Sequence, residues 1–374
     1  MGLFKKKIIK KYLQTKYEME ETKKITTNIA YIEDWDILFN GVFQMMVVGG
    51  DGIWQLMHSK FIESMKQLLN ERCVDGVVIE EVVFFLSYKE MQSGYIQHKK
   101  RTTDERTKDG LSEEEIARRG PVDTWKTINA EDDTCVRHTP AYKVWKFEQQ
   151  FEAFQKQIVD DLKKGATKAM GIHTIHFVGF KGNHYEHTEN GTQIYPMTGS
   201  GEADVHFYNM RGFAELQKRY CVVLKSTDTD CFVISSVLPV EWTFEHGFYI
   251  NNGVYQKTPE KTLWLDMKKA RDDRAVNWQL FGFCCILMGT DYVEHIISPV
   301  RTVDIFMADI RFEREQMCKH MTLLEYVQYK INRMPKPNIK KSIDKAPKRI
   351  PKVKPTPVAS DVIWNCVYWN VKYS

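Results

Sequence analysis

Six carboxylates define the chemistry open to this chain. Glu202 and Asp204 form one pair and Asp228 and Asp230 a second, each with one residue between its members, while Asp34 lies far upstream and Asp291 far downstream. Hard divalent cations prefer carboxylate oxygen, and two ions a few ångströms apart need about five or more acidic ligands to offset their charge. With two ions held, one activates an attacking water and the other stabilises the leaving oxygen of a phosphodiester. Each acid also has a plainer use. Asp228 can cap a helix, and Glu202 can favour a helix N-terminus through the macrodipole. The case for a shared site comes from the set and from the apolar runs that lead into it.

Those runs are the elements that must position the acids. Residues 28–32 read as a strand ending at Glu33-Asp34, and 220–224 read as a buried strand just before Asp228. Residues 77–86 and 174–180 are two further strand candidates, and 37–48 and 53–69 read as helices. A long helix through 162 opens with Thr139 as N-cap and Pro140 at the first helical position, with Trp145, Phe147, Phe151 and Phe154 on its aromatic face. Residues 202–216 read as a helix carrying Glu202 and Asp204 in its first turn, and 277–288 as an apolar helix ending just before Asp291. Residues 241–265 look β-rich, with Asn251-Asn252-Gly253 as a hairpin signal. The stretch with His184 and His187 reads as a loop; two histidines three apart, without a third ligand, are usually solvent-exposed. The alternation of strands and helices predicts an α/β fold with a mostly parallel central sheet flanked by helices. Ligands in such sheets collect at the carboxyl ends of the strands.

Bulk properties narrow the class. The chain has 374 residues, 43% hydrophobic and 12% aromatic, enough for a large buried core. No run approaches the ~20 apolar residues of a membrane helix. Eight cysteines with no C-x-x-C pair argue against a structural zinc site and for a reduced, intracellular protein. The net charge is only +4, but it is unevenly spread. Lys5, Lys6 and Lys7, and Lys99, Lys100 and Arg101, form basic groups suited to phosphate contacts, which would make binding strongly salt-dependent. Residues 334–357 hold six prolines and eight Lys/Arg against the single acid Asp344, an extended basic linker that reads either as a nuclear address or as a non-specific nucleic-acid tether, with the nucleus favoured over the cytoplasm. The apolar tail 358–374 is expected to dock on the body or on a protein partner.

In order, Gly201-Glu202-Ala203-Asp204, Thr227-Asp228-Thr229-Asp230 and Leu287-Met288-Gly289-Thr290-Asp291-Tyr292 resemble the acidic motifs of the flap endonuclease superfamily, which also takes in the 5′→3′ exoribonucleases. Ile32-Glu33-Asp34 resembles its first metal-binding aspartate, and Met1-Gly2 with the basic segment after it resembles its start, which adds Gly2 to the nucleic-acid contacts. Ser93-Gly94 followed by His98-Lys99-Lys100-Arg101 is similar to its basic gateway helix, and the resemblance runs over roughly residues 1–297. It implies a PIN-like core with a helical arch, and a nuclease that uses two Mg²⁺ ions, or Mn²⁺, held by Asp34, Glu202, Asp204, Asp228, Asp230 and Asp291. The implied substrate is flap or 5′-ended DNA in replication or repair, with RNA as the alternative. The implied layout is a nuclease core over 1–333 (an N-terminal segment 1–120, an internal segment 121–297 and a helical extension 298–333), then the linker and tail.

The chain also departs from the family. Phe85-Leu86-Ser87 stands where the family carries Phe-Asp-Gly, so one acid is missing, with Glu90 as a substitute. Asp204 stands where glutamate is usual, and the glycine-rich turn after the last aspartate is not visible in 296–300. These changes also fit a nucleic-acid-binding scaffold with impaired catalysis.

Overall fold

The computed structural model describes residues 13–35, 37–39, 42, 53–86, 140–180, 182–197, 207–226, 229–239, 241–251, 263–274, 276 and 278, with 140–150 and 229–230 described as backbone. The chain divides into two compact units that interleave along the sequence. The larger comprises Glu20–Thr227 and Thr243–Trp264; the smaller comprises Met1–Met19, Asp228–Trp242 and Leu265–Ser374. The segments read as an arch, a basic linker and an apolar tail lie outside the described residues. Among the described residues, no helix is long and apolar enough to cross a membrane.

The larger unit is built on strands β1 (Ile29–Asp34), β2 (Ile79–Phe85), β3 (Thr174–Phe180), β4 (Asn183–Thr188), β5 (Gly191–Pro196), β6 (Cys221–Lys225) and β7 (Phe248–Asn251). With β8 (Trp264–Asp266) they form one eight-stranded sheet in the order β5-β4-β3-β2-β1-β6-β7-β8. Neighbours from β3 through β2, β1 and β6 to β7 pair in parallel, whereas β3–β4 and β4–β5 pair antiparallel. The α/β, mostly parallel expectation therefore holds, with an antiparallel edge added. Successive strands β1, β2 and β3 step one way from β1, whereas β6 lies on its other side and leads to β7. The order reverses between β1 and β6, and a doubly wound sheet opens a crevice at such a point.

Helices cover both faces because alternate strand residues are apolar on both. On one face, α1 (Ile53–Arg72) and α2 (Pro140–Lys164) supply Phe61, Phe151 and Phe154. They meet Phe84 and its register partner Phe177, whose rings stack 5.2 Å apart at 15°. Trp35 stands edge-on to Phe151 and Phe154 at 5.1 and 4.8 Å. A short helix, α3 (Ala166–Ala169), follows α2. On the other face Phe85 packs 4.7 Å from Phe207, and α4 (Phe213–Arg219) adds Phe213. Phe244 takes a left-handed φ of 46°, held by stacking on Phe248 at 4.5 Å and by its amide donating to the buried Gln217 Oε1 at 2.9 Å.

One predicted element is shorter than expected. The helix read over 202–216 begins only at Phe213, because 207–212 form turns and Gly212 sits at φ 89°, which breaks the helical run. Residues 202–206 lie outside the described residues, so the placing of Glu202 and Asp204 in a first helical turn is not carried over.

In the smaller unit, the Arg271 guanidinium ties α6 (Met267–Asp272) to the end of α5 (Thr229–Ser236). Arg271 donates to the carbonyls of Ser235, Leu238, Pro239 and Trp242 at 3.3, 3.2, 2.8 and 2.9 Å. These oxygens are at and beyond the end of α5, where helical partners run out. A lysine cannot reproduce a planar fork that reaches four acceptors. Arg271→Lys is expected to lower stability by about 2 kcal/mol, read as an earlier urea midpoint.

Candidate functional site

The carboxyl ends of β1 and β6 meet where the strand order reverses. Asp34 is the last residue of β1 and only 7% exposed. Its Oδ1 accepts from the Ile37 amide at 3.3 Å, so it caps the helical turn that starts at Trp35. A carboxylate has about four acceptor sites, so capping and metal ligation are compatible. On the neighbouring strand, Lys225 ends β6 in register with Glu33, and Asp228 follows three residues later in the chain. Asp230 is the second residue of α5, with its side chain outside the described residues. Glu202, Asp204, Asp228 and Asp291 lie outside the described residues, as do Gly2, Lys5, Lys6, Lys7, Lys99, Lys100 and Arg101. Of the six acids, Asp34 alone has a described side chain. Beside it, Leu86 is 1% exposed and donates its amide to Val178 O at 3.0 Å, a packed apolar residue just past β2.

Directly behind Asp34 is a polar network that sequence reasoning missed. Glu33 is fully buried and faces the opposite side of the sheet from Asp34. The Tyr31 hydroxyl donates to Glu33 Oε2 at 2.7 Å, and Lys225 Nζ donates to Ser64 Oγ on α1 at 2.6 Å. Burial pushes the Lys225 ammonium below the usual lysine range, and the Glu33 charge opposes that shift. Both charges stand at the strand ends where β1 meets β6. The signal available in the sequence was a charged residue ending each of two apolar strands.

A second cluster lies on β3 and β4. The region read as a loop is the strand β4 followed by a turn into β5, and the histidines read as solvent-exposed are buried. His184 and His187 are three apart on a strand and so point to opposite faces. They cannot form a site together. His187 contacts Gln155 of α2 at 3.0 Å and Thr192 of β5 at 2.8 Å. His184 instead meets His176, with Nε2 of His184 2.9 Å from Nδ1 of His176, whose Nε2 lies 3.1 Å from Glu81 Oε2. One ligand atom from each of His176, His184 and Glu186 lies within 4.8 Å of the other two, so the trio could hold a metal ion. The missed signal was Asn190-Gly191, a hairpin dipeptide.

Burial first, then electrostatic repulsion from the His176 side (and, for His184, from Arg211), holds His184 down to about 3 and His187 down to about 4. Both values lie below the unfolded value, so the unfolded chain takes up these protons first. The stability contributed by the neutral rings is complete above about pH 6.5 and is lost as the pH falls toward 4. Metal-free protein is expected to lose up to ~1.4 kcal/mol per pH unit for each histidine over that window. Urea titrations at pH 7 and pH 5 check this, with His187→Gln expected to flatten the slope.

No known family model matches the chain, and no curated protein matches it either, so the reading of its sites rests on sequence and geometry.

Proposed function

We propose that this protein is a metal-dependent phosphodiesterase that cleaves nucleic acid at or near a 5′ end or flap. In this reading Asp34, Glu202, Asp204, Asp228, Asp230 and Asp291 share two Mg²⁺ ions, for which Mn²⁺ can substitute. When bound, the ions would supply an activated water and charge to stabilise the leaving oxygen, while the basic groups at Lys5, Lys6, Lys7, Lys99, Lys100 and Arg101 would hold the phosphate backbone. The preferred substrate is flap or 5′-ended DNA.

The observation that carries the reading is the position of Asp34. A carboxylate that closes a buried parallel strand, beside the point where strand order reverses, stands where α/β sheets bind their ligands. The neighbouring strand β6 leads within five residues into Asp228 and Asp230. An RNA-cleaving relative uses the same metal chemistry and differs only in substrate. The buried Leu86, in place of a family acid, is what favours a catalytically impaired scaffold as the second reading.

The test is an Mg²⁺-dependent assay on end-labelled flap DNA beside 5′-monophosphate RNA. Cleavage of the flap supports the DNA nuclease, and cleavage of RNA alone moves the substrate to RNA. Binding of either nucleic acid without cleavage in Mg²⁺ or Mn²⁺ leaves the scaffold.

A further inference from the structure

The antiparallel edge of the sheet holds a cluster that the nuclease reading does not use. In register, His176 lies opposite Glu186, and His184 is two residues from Glu186 on the same strand, so all three project from one face. Glu81 belongs to that face as well, because its partner on β3 is Thr174, two residues before His176. Following the register from Asp34 through Phe85 to Val178 shows that this is also the face of Asp34. His176 is two strands away and two residues back, about 12 Å from Asp34, too far to share an ion with it.

The hydrogen bonding sets the chemistry of the rings. A carboxylate only accepts, so the contact with Glu81 assigns the proton of a neutral His176 ring to Nε2 and leaves Nδ1 as a bare lone pair. That lone pair faces Nε2 of His184 at 2.9 Å. His184 is 1% exposed, and its other nitrogen, Nδ1, has no hydrogen-bond partner among the described residues. The ring is therefore oriented by its contact at Nε2. The half-buried Glu186 adds an oxygen ligand at the same spot.

We propose that His176 Nδ1, His184 Nε2 and the Glu186 carboxylate bind one zinc-class divalent ion, with Glu81 as the positioning residue for His176. Two imidazoles and one carboxylate suit Zn²⁺, Co²⁺ or Ni²⁺ and not Mg²⁺, which requires near-octahedral oxygen ligation. Two nitrogens about 2.0–2.1 Å from a tetrahedral ion lie about 3.3 Å apart, so the rings need to separate by a few tenths of an ångström and tilt to aim both lone pairs at the ion. Binding requires the neutral His184 ring to move its proton from Nε2 to Nδ1, which leaves both facing nitrogens with a lone pair for the ion. Three protein ligands leave a fourth position for water or an added ligand, the pattern of sites that stay open. The carboxylate behind a metal-binding imidazole fixes the tautomer and raises its basicity.

The experiment titrates metal-stripped, full-length chain with Co²⁺, read by visible absorption, and then with Zn²⁺ in competition. The expected result is one tetrahedral Co²⁺ per chain, counted by its ligand-field band in excess Mg²⁺ and displaced by Zn²⁺ but not by Mg²⁺. His184→Gln and Glu186→Gln are each expected to weaken binding at least about 100-fold, and Glu81→Gln about 10-fold or more. Glu186 is at the half-buried rim, so Glu186→Gln separates a lost ligand from a lost fold, with circular dichroism as the check. No tetrahedral Co²⁺ in the parent, or equal binding in the parent and in folded Glu186→Gln, overturns the site and leaves a hydrogen-bonded histidine pair. Mg²⁺-dependent cleavage is expected to be unchanged in Glu186→Gln, so this site and the nuclease reading can fail independently.

Discussion

Asp34→Asn is expected to lower Mg²⁺-dependent cleavage by at least about 100-fold while leaving the fold intact. The substitution separates the two roles that Asp34 can play. As a cap, Asp34 accepts from the Ile37 amide through Oδ1, and an asparagine oxygen caps a helix about as well. As a metal ligand it contributes a charge that asparagine lacks, and two divalent ions leave little tolerance for its loss. Unchanged melting with lost cleavage is therefore the signature of ligation. Asp34→Ala removes the cap as well and is expected to cost a further ~1 kcal/mol of stability. Asp230→Ala is expected to match Asp34→Asn in activity. An Asp34→Asn chain that cleaves like the parent contradicts the assignment.

The second large effect is expected behind the same strand end. Lys225→Met leaves the fully buried Glu33 without its cationic neighbour and Ser64 without its ammonium donor. Breaking a buried charge pair from one side typically costs about 3–5 kcal/mol, because the remaining charge stays desolvated. The double change Glu33→Leu with Lys225→Met removes both charges and is expected to recover most of that loss. Urea unfolding of the four chains completes the cycle. Simply additive losses would show that Glu33 and Lys225 do not act as a pair.

The parallel sheet was legible because its strands are built mainly of apolar, buried residues. The run predicted over 174–180 is β3, Thr174–Phe180, and that over 77–86 contains β2, Ile79–Phe85. The long helix announced by Thr139-Pro140 is α2, starting at Pro140. Pattern failed where polar residues build strands. Asn183–Thr188 alternates histidines, a tyrosine and a glutamate, and its burial comes from cross-strand partners that no local window contains. The same limit hid His176, eight residues from His184 in sequence and in contact only through pairing of β3 with β4. It also hid the Glu33–Lys225 network, whose members are brought together by a parallel register. Of the candidate site, Asp34 was legible as the acid closing an apolar strand, and that is where the fold has it.

The most direct test of the central claim counts ions. Mn²⁺ binding, followed by electron paramagnetic resonance on the Glu186→Gln chain so that the histidine cluster lacks its carboxylate, should reach two ions per chain. Adding Asp34→Asn should reduce the count to one or none. Two Mn²⁺ ions bound with unchanged affinity after Asp34→Asn, or none bound before it, would contradict the account.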